Sequence, residues 1–135
     1  MDKLDRLEWA AGTCFRAYGV RVGIRVNDPA ALELLRESFP PLWKPTESPV
    51  VDRLYSFILG GRVPGANIRR FHMVFGNAQK LARSRELREA LNIFEAKLQL
   101  GIAEESPRRV FVHAGVVGWG GKAIIIPGHS YAGKS

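Results

Sequence analysis

The chain has 135 residues, of which 46% are hydrophobic and 24% are charged. The length suits one domain of ordinary size, and the composition is a normal globular mix that can bury a core and does not require disorder. The formal net charge of +7 favours anionic partners, such as nucleotides, nucleic acid or an acidic protein surface. The alternative interpretation of this charge is a solvated basic face on part of a larger protein.

Several sequence features bear on localisation. The single cysteine, Cys14, can form no internal disulfide, which fits a reducing compartment, and we expect it to be a half-buried structural residue. Acidic residues interrupt the N-terminal segment and no apolar run follows it, so no secretory signal is predicted. No apolar run reaches the roughly 20 residues needed to span a bilayer. We therefore expect a cytoplasmic protein without a membrane partner.

Two elements are predicted in the first third of the chain. Residues 18–27 alternate apolar with polar or small side chains, which is the period of a half-buried strand. Asp28 and Pro29 then supply an N-cap and a first-turn proline for a helix. The apolar positions of this helix recur at helical spacing, and Pro40 and Pro41 are expected to end it.

The middle of the chain predicts a three-stranded antiparallel meander. A proline-rich loop over residues 40–49 leads into a strand over 50–59. Glycine and proline residues then mark a turn region, and a second strand is predicted over 68–75. Gly76 and Asn77 form a tight turn before a short third strand over 79–82.

The longest helix is predicted over about residues 85–103, with Ser84 as its N-cap. Its apolar residues form one stripe at helical spacing: Leu87, Leu91, Phe94, Leu98 and Ile102. Ser106 and Pro107 end the helix. A stripe of this kind packs on a protein core far more often than on a membrane surface, so we expect it to face the core.

The last part of the chain predicts a hairpin. Residues 110–119 form a strand with apolar side chains on one face, and Gly120 and Gly121 supply a two-residue turn. Residues 123–126 form a second, short strand that is apolar on both faces. Such a strand is typical of the interior of a sheet that is covered on both sides.

The octapeptide over residues 128–135 is the motif that indicates a ligand-binding function. It matches G-x-x-x-x-G-K-[ST] at every fixed position and directly follows the apolar strand, as a phosphate-binding P-loop does. Gly128 and Gly133 allow the backbone to turn successive N–H groups inward around a β-phosphate. We predict nucleotide contacts from these residues: Gly128, Ser130, Tyr131, Ala132, Gly133, Lys134 and Ser135.

The last two residues of the motif have separate predicted roles. Lys134 reaches the β- and γ-phosphates as a point charge, and the Ser135 hydroxyl ligates Mg²⁺. ATP and Mg²⁺ are therefore the predicted cofactors. The competing interpretation is a glycine-rich turn that binds no ligand. No further metal site is predicted, because His72 and His129 lack metal-ligand spacing with each other or with Cys14.

Residues 110–117, the Gly-Gly hairpin, residues 122–128 and the P-loop together resemble the HPr serine kinase C-terminal domain family. A weaker likeness extends to the helix over 84–103. The resemblance implies ATP-dependent phosphoryl transfer to a protein serine, in an HPr-like protein or a peptide, or to a small molecule. ATP-type phosphoenolpyruvate carboxykinases share the same P-loop core, so kinase, phosphorylase and carboxykinase activities all stay open.

The resemblance also bears on catalytic residues. His113 matches a recurring histidine of the family, which implies a functional role; the alternative is a strand histidine packed beside Trp119. The family places its Mg²⁺-binding and base-providing acidic residues after the P-loop, whereas here no Asp or Glu follows Glu105. Because phosphoryl transfer needs such groups, we expect an inactive, truncated fragment whose only candidate catalytic residue is His113.

The predicted fold class is α/β, with an α+β region over residues 1–106 followed by the start of a P-loop kinase core over 107–135. Residues 123–126 have only the hairpin strand as a partner, so their apolar surface is expected to be exposed. The alternative function is a non-catalytic nucleotide-holding or peptide-binding regulatory module. No nucleic-acid partner is expected, because aromatic residues do not alternate with the arginines. The resemblance implies an oligomer for the full-length protein.

Overall fold

The computed structural model describes residues 3–62, 69–112 and 114–127. A short 3-10 helix (Lys3–Arg6) is followed by β1 (Ala11–Ala17), β2 (Val20–Val26), α1 (Pro29–Arg36), β3 (Lys44–Pro45), β4 (Arg53–Ile58), β5 (Gly61–Arg62), β6 (Arg69–Arg70), β7 (His72–Gly76), β8 (Gln79–Ser84), α2 (Leu87–Glu105), β9 (Ala114–Trp119) and β10 (Lys122–Pro127). These strands form one six-stranded and two two-stranded sheets. The described part of the chain is therefore a mixed α/β fold.

The six-stranded sheet has the order β3-β1-β2-β4-β7-β8. Neighbouring strands are antiparallel except β2 and β4, which are parallel. Helix α1 contacts β1 and β2, α2 contacts β7 and β8, and the two helices contact each other. Both helices therefore cover the same face of the sheet, and the core lies between the two layers.

Side chains that face the helices build this core. Strand β2 has the predicted alternation: its four β-branched residues are buried, whereas Arg21 and Arg25 point to the other face. Helix α2 presents its predicted apolar stripe to the sheet, with Phe94 and Leu98 fully buried. The Phe94 ring meets the Phe57 ring of β4 edge-on, with 6.4 Å between the ring centroids. The stripe is thus confirmed as a core-facing surface.

Strand β1 has no counterpart among the predicted elements. Its sequence, Ala-Gly-Thr-Cys-Phe-Arg-Ala, is poor in β-branched residues, so propensity alone does not indicate a strand. Pairing with β2 places it in the sheet, and the connecting Tyr18 and Gly19 have φ angles of 52° and 78°. Positive φ at both central residues is the geometry of a type I′ hairpin turn. Tertiary pairing, rather than local preference, therefore forms β1.

Helix α1 begins as predicted but ends earlier. The Asp28 carboxylate accepts a hydrogen bond from the backbone N–H of Ala30 at 3.0 Å, and Pro29 lies in the first turn. The last helical residue is Arg36, so the helix stops before the two prolines rather than at them. Phe39 is nevertheless buried, and it reaches the core from the turn after the helix.

Helix α2 starts and ends slightly later than predicted. Ser84 is not its N-cap: it is the last residue of β8, and Glu86 occupies the N-cap position without a side-chain capping bond. The Ser84 hydroxyl accepts a hydrogen bond from the Glu86 backbone N–H at 3.0 Å and donates one to the Glu89 carboxylate. Ser84 therefore stabilises the turn between the strand and the helix.

The predicted meander is confirmed with different boundaries. Strands β4, β7 and β8 are consecutive antiparallel neighbours, and the first of them starts at Arg53 rather than at residue 50. The predicted strand over 68–75 is divided at Phe71, because β6 pairs with β5 in a separate small sheet. The third strand continues to Ser84 rather than ending at residue 82.

Candidate functional site

The hairpin that the sequence predicts before residues 128–135 is present as a separate two-stranded sheet. Strands β9 and β10 are antiparallel and pair as far as Ala114 and Pro127. Gly120 and Gly121 form the turn, with φ angles of 54° and 76° that glycine adopts without steric cost. Strand β10 therefore runs from this turn to the residue directly before the motif.

The first hairpin strand is shorter than predicted. The sequence predicts a strand over 110–119, but β9 starts at Ala114. Pro127, the last paired residue of β10, lies opposite Ala114. Residues 110–112 consequently have no partner strand within the described part of the chain, and Val110 is 90% exposed.

Both faces of the hairpin carry exposed apolar side chains. Adjacent residues in a strand point to opposite faces, and Ile124 and Ile125 are 53% and 61% exposed. Val116 and Trp119 of β9 are exposed as well. The expectation that the apolar surface of residues 123–126 is exposed in this chain is therefore confirmed.

The predicted nucleotide site itself lies outside the residues that the structure describes. This applies to Gly128, Ser130, Tyr131, Ala132, Gly133, Lys134 and Ser135, and also to His113 and His129. The structure describes the strand that ends directly before Gly128. The phosphate contacts, the Mg²⁺ ligand and the role of His113 therefore stay predictions.

The segment between α2 and β9 is attached to the turn between β1 and β2. The Ser106 hydroxyl donates a hydrogen bond to the Tyr18 carbonyl oxygen at 2.8 Å. The Phe111 ring meets the Tyr18 ring edge-on at 5.4 Å between centroids, and the Arg109 guanidinium lies 5.3 Å from the centroid of the same ring. Contacts to one tyrosine therefore hold this segment against the main sheet.

A cavity of about 320 Å³ lies beside this segment. Its wall combines aromatic, proline and polar side chains, among them Tyr18, Phe39, Pro40, Gln99 and Phe111. None of the described residues that line it is a lysine or an arginine. The cavity therefore lacks the positive charge that a phosphate site requires.

A second concavity, of about 230 Å³, has the opposite character, because Arg16, Lys44 and Arg109 line it. Sequence reasoning missed this group, since the three residues belong to separate segments and one of those segments, β1, is not predicted. The only sequence signal for it is the net charge of +7.

An ion pair on the uncovered face of the sheet shifts the pKa values of both partners. Arg21 donates to the Asp52 carboxylate from its backbone N–H at 2.8 Å, from Nε at 3.2 Å and from Nη2 at 3.0 Å. The side-chain hydrogen bonds from Arg21 lower the pKa of Asp52, and the same bonds raise the pKa of Arg21. Asp52 therefore neutralises Arg21 at this position.

The described residues form neither a metal-binding cluster nor a membrane-spanning helix. Across residues 3–62, 69–112 and 114–127, no group of three or more His, Cys, Asp or Glu side chains could hold a metal ion. His72 is buried, and its Nδ1 accepts a hydrogen bond from the Gly60 backbone N–H at 2.9 Å. Cys14 is half-buried and forms no disulfide. Within the same ranges, no helix has the length and apolar character to cross a membrane.

Comparison with known proteins identifies no relative. No protein family, no curated protein and no solved structure matches this chain. The resemblance of residues 110–135 to the HPr serine kinase family is therefore a prediction from those residues alone.

Proposed function

We propose that residues 128–135 bind the phosphates of Mg²⁺-ATP and that the chain is the nucleotide-binding part of a P-loop kinase related to the HPr serine kinases. The observation that carries this proposal is the complete G-x-x-x-x-G-K-[ST] pattern directly after an apolar strand. Strand β10 includes Pro127, the residue directly before Gly128, and a strand directly before the glycine-rich segment is what the motif requires.

Each fixed residue of the motif has a distinct part in binding. Gly128 and Gly133 let backbone N–H groups converge on the β-phosphate. Lys134 neutralises charge on the β- and γ-phosphates, and the Ser135 hydroxyl is a hard oxygen ligand of the kind that suits Mg²⁺. These groups stabilise the charge that develops during phosphoryl transfer. The acceptor is a protein serine, in an HPr-like protein or a peptide, or a small molecule.

A nucleotide-holding module without catalysis is the second candidate function. Residues 106–135 contain no Asp or Glu, whereas phosphoryl transfer uses carboxylates that hold Mg²⁺ and orient the nucleophile. Within the given residues, the motif therefore supplies groups that bind the nucleotide, and a module of this kind would hold ATP without turnover. Both candidate functions begin with ATP binding through Lys134, so one binding experiment tests both.

Calorimetric titration with Mg²⁺-ATP is that experiment. We expect the wild-type chain to bind, and Lys134→Ala to bind at least about tenfold more weakly, because a charge-assisted contact to phosphate is lost. Lys122→Ala is the matched control, since it removes a lysine of β10 outside the motif, and it is expected to bind like the wild type. Equal affinities for Lys134→Ala and the wild type would contradict the proposal.

Measurement of ADP release then separates the two candidate functions. A version of the chain extended through the coding sequence downstream of Ser135 is incubated with Mg²⁺-ATP, with and without a serine-containing acceptor protein, because the carboxylates of the kinase family follow the P-loop. Release of ADP that Lys134→Ala abolishes supports the kinase. Binding of ATP without release of ADP supports the nucleotide-holding module.

A further inference from the structure

A basic concavity lies at the β3 edge of the main sheet, and we call it the basic hollow. Three cationic side chains define it: Arg16 on β1, Lys44 on β3 and Arg109 in the segment before β9. The hollow has a volume of about 230 Å³, and the rest of its wall consists of Ala17, Tyr18, Gly19 and Leu42. No acidic residue of the described part of the chain lines it.

The strand register places two of these cations side by side. Arg16 lies directly opposite Lys44 in the β1–β3 ladder and opposite Arg21 in the β1–β2 ladder. Directly opposite side chains in antiparallel strands share a face, and like charges in such pairs are destabilising. Asp52 binds Arg21 through both carboxylate oxygens. Among the described residues, Arg16 and Lys44 form no salt bridge, and the nearest compensation is a longer-range electrostatic interaction between Arg16 and the Asp52 carboxylate.

Tyr18 brings the third cation to the hollow. The Arg109 guanidinium lies 5.3 Å from the Tyr18 ring centroid, and the Ser106 hydroxyl bonds to the Tyr18 carbonyl oxygen at 2.8 Å. A guanidinium that stacks on a ring still presents its N–H groups at its edge. Arg109 can therefore donate to an anion while Tyr18 fixes its position.

The wall of the hollow contains a strained residue. Leu42 has a φ angle of 66° and is 82% exposed. A non-glycine residue in the left-handed region has a conformational cost, and such residues concentrate at ligand sites. Burial does not compensate this cost at Leu42, because most of its side chain is in solvent.

We propose that the basic hollow binds a phosphate dianion, either as free phosphate or as the terminal group of a monoester. The guanidiniums of Arg16 and Arg109 offer paired N–H donors to phosphate oxygens, and the Lys44 ammonium adds a point charge. The bound anion adds negative charge next to Arg16 and Lys44, which form no salt bridge among the described residues. A volume of about 230 Å³ lies below the range of about 300–1,000 Å³ for drug-sized ligands, which fits a phosphate group.

None of the residues that line this site belongs to the P-loop motif, and the proposal does not depend on the function proposed for that motif. Arg16 and Lys44 belong to the main sheet, whereas Arg109 lies between α2 and β9. A bound phosphate therefore adds an ionic link between the sheet and the segment that precedes the hairpin. Because only the folded chain brings the three cations together, phosphate is also expected to raise the unfolding temperature.

The test uses the full chain with Lys134→Ala, which weakens any phosphate binding at the motif. Inorganic phosphate is titrated into the ¹⁵N-labelled protein while backbone amide shifts are recorded by NMR. We expect saturable shifts at Arg16, Gly19, Lys44 and Arg109. Adding Arg16→Gln or Arg109→Gln is expected to weaken binding by at least about tenfold, because each removes a charge-assisted contact.

Lys44→Gln tests the third cation of the hollow. Lys80→Gln is its matched control, because both lysines are exposed and lie on edge strands of the sheet. We expect only Lys44→Gln to weaken phosphate binding. An equal loss in both variants, or the absence of saturable shifts around the hollow, overturns the proposal. Arg109→Gln keeps the test decisive even if Arg16→Gln destabilises the fold, since Arg109 lies outside the sheet.

A parallel titration with O-phosphoserine distinguishes the two sources of the phosphate group. Affinity equal to or above that of inorganic phosphate indicates a monoester site. Binding of inorganic phosphate alone indicates a site for the free ion. Binding of neither compound overturns the proposal.

Discussion

Gly101 of helix α2 lies against Tyr55 of strand β4, and its replacement by alanine gives a sharp test of the packing. A Cβ on Gly101 would overlap the Tyr55 hydroxyl oxygen and lie 3.5 Å from Cζ of the same ring. Tyr55 is 2% exposed, and its hydroxyl donates a hydrogen bond to the Lys97 carbonyl oxygen at 3.1 Å. Tyr55 therefore has to move if the alanine is to fit.

Two opposing contributions decide the sign of the effect. Alanine is better than glycine in a helix interior by about 1 kcal/mol. Displacing the Tyr55 ring costs about 1–3 kcal/mol of overpacking, and breaking the hydrogen bond from its hydroxyl to the Lys97 carbonyl oxygen costs about 1 kcal/mol more. We therefore expect Gly101→Ala to lower the free energy of unfolding by about 2 kcal/mol, or the unfolding temperature by roughly 10 °C.

A double-mutant cycle with Tyr55→Phe provides the control. Removal of the hydroxyl leaves the new Cβ at 3.5 Å from Tyr55 Cζ and 3.7 Å from Arg53 Cδ, which are ordinary contacts. In the Tyr55→Phe background, Gly101→Ala is therefore expected to be stabilising by about 1 kcal/mol. Thermal unfolding followed by circular dichroism measures all four proteins. A higher unfolding temperature for Gly101→Ala in the presence of Tyr55 would refute this reasoning.

Two further predictions concern a helix cap and an ion pair. Asp28→Ala is expected to lower the free energy of unfolding by about 1 kcal/mol, because the Ala30 N–H loses its acceptor. In a urea titration, Asp28→Asn should retain most of the wild-type stability. An equal loss in both variants would contradict the capping role. The Arg21 hydrogen bonds lower the pKa of Asp52 in the folded state, so the ionised Asp52 stabilises the fold. This stabilisation is fully present above the ordinary Asp pKa of about 3.9. It is lost as the pH falls through the lower pKa of the folded state. The stability difference between wild type and Asp52→Asn should accordingly shrink from about pH 6 to about pH 3, and a constant difference would show that the pair contributes nothing.

Elements with a strict period could be predicted from the sequence. The alternation in β2 and the stripe in α2 each bury one face, and burial of one face imposes the period that the sequence carries. Strand β1 could not be predicted, because its small residues are held in place by pairing with β2 and β3. The break at Phe71 likewise depends on the pairing of β6 with β5, which no local pattern encodes.

The two candidate phosphate sites also differ in whether the sequence alone predicts them. The motif over residues 128–135 is contiguous, so its spacing alone predicts its chemistry. The basic hollow depends on the register between Arg16 and Lys44 and on the attachment of Arg109 to Tyr18. These residues are distant in sequence, and only the folded chain brings them together.

Amide NMR of the ¹⁵N-labelled chain with Mg²⁺-ATP tests the central claim most directly. We predict that the largest saturable shifts fall within residues 128–135 and that Lys134→Ala removes them. Absence of shifts in those residues, or shifts confined to Arg16, Lys44 and Arg109, would contradict nucleotide binding by the motif.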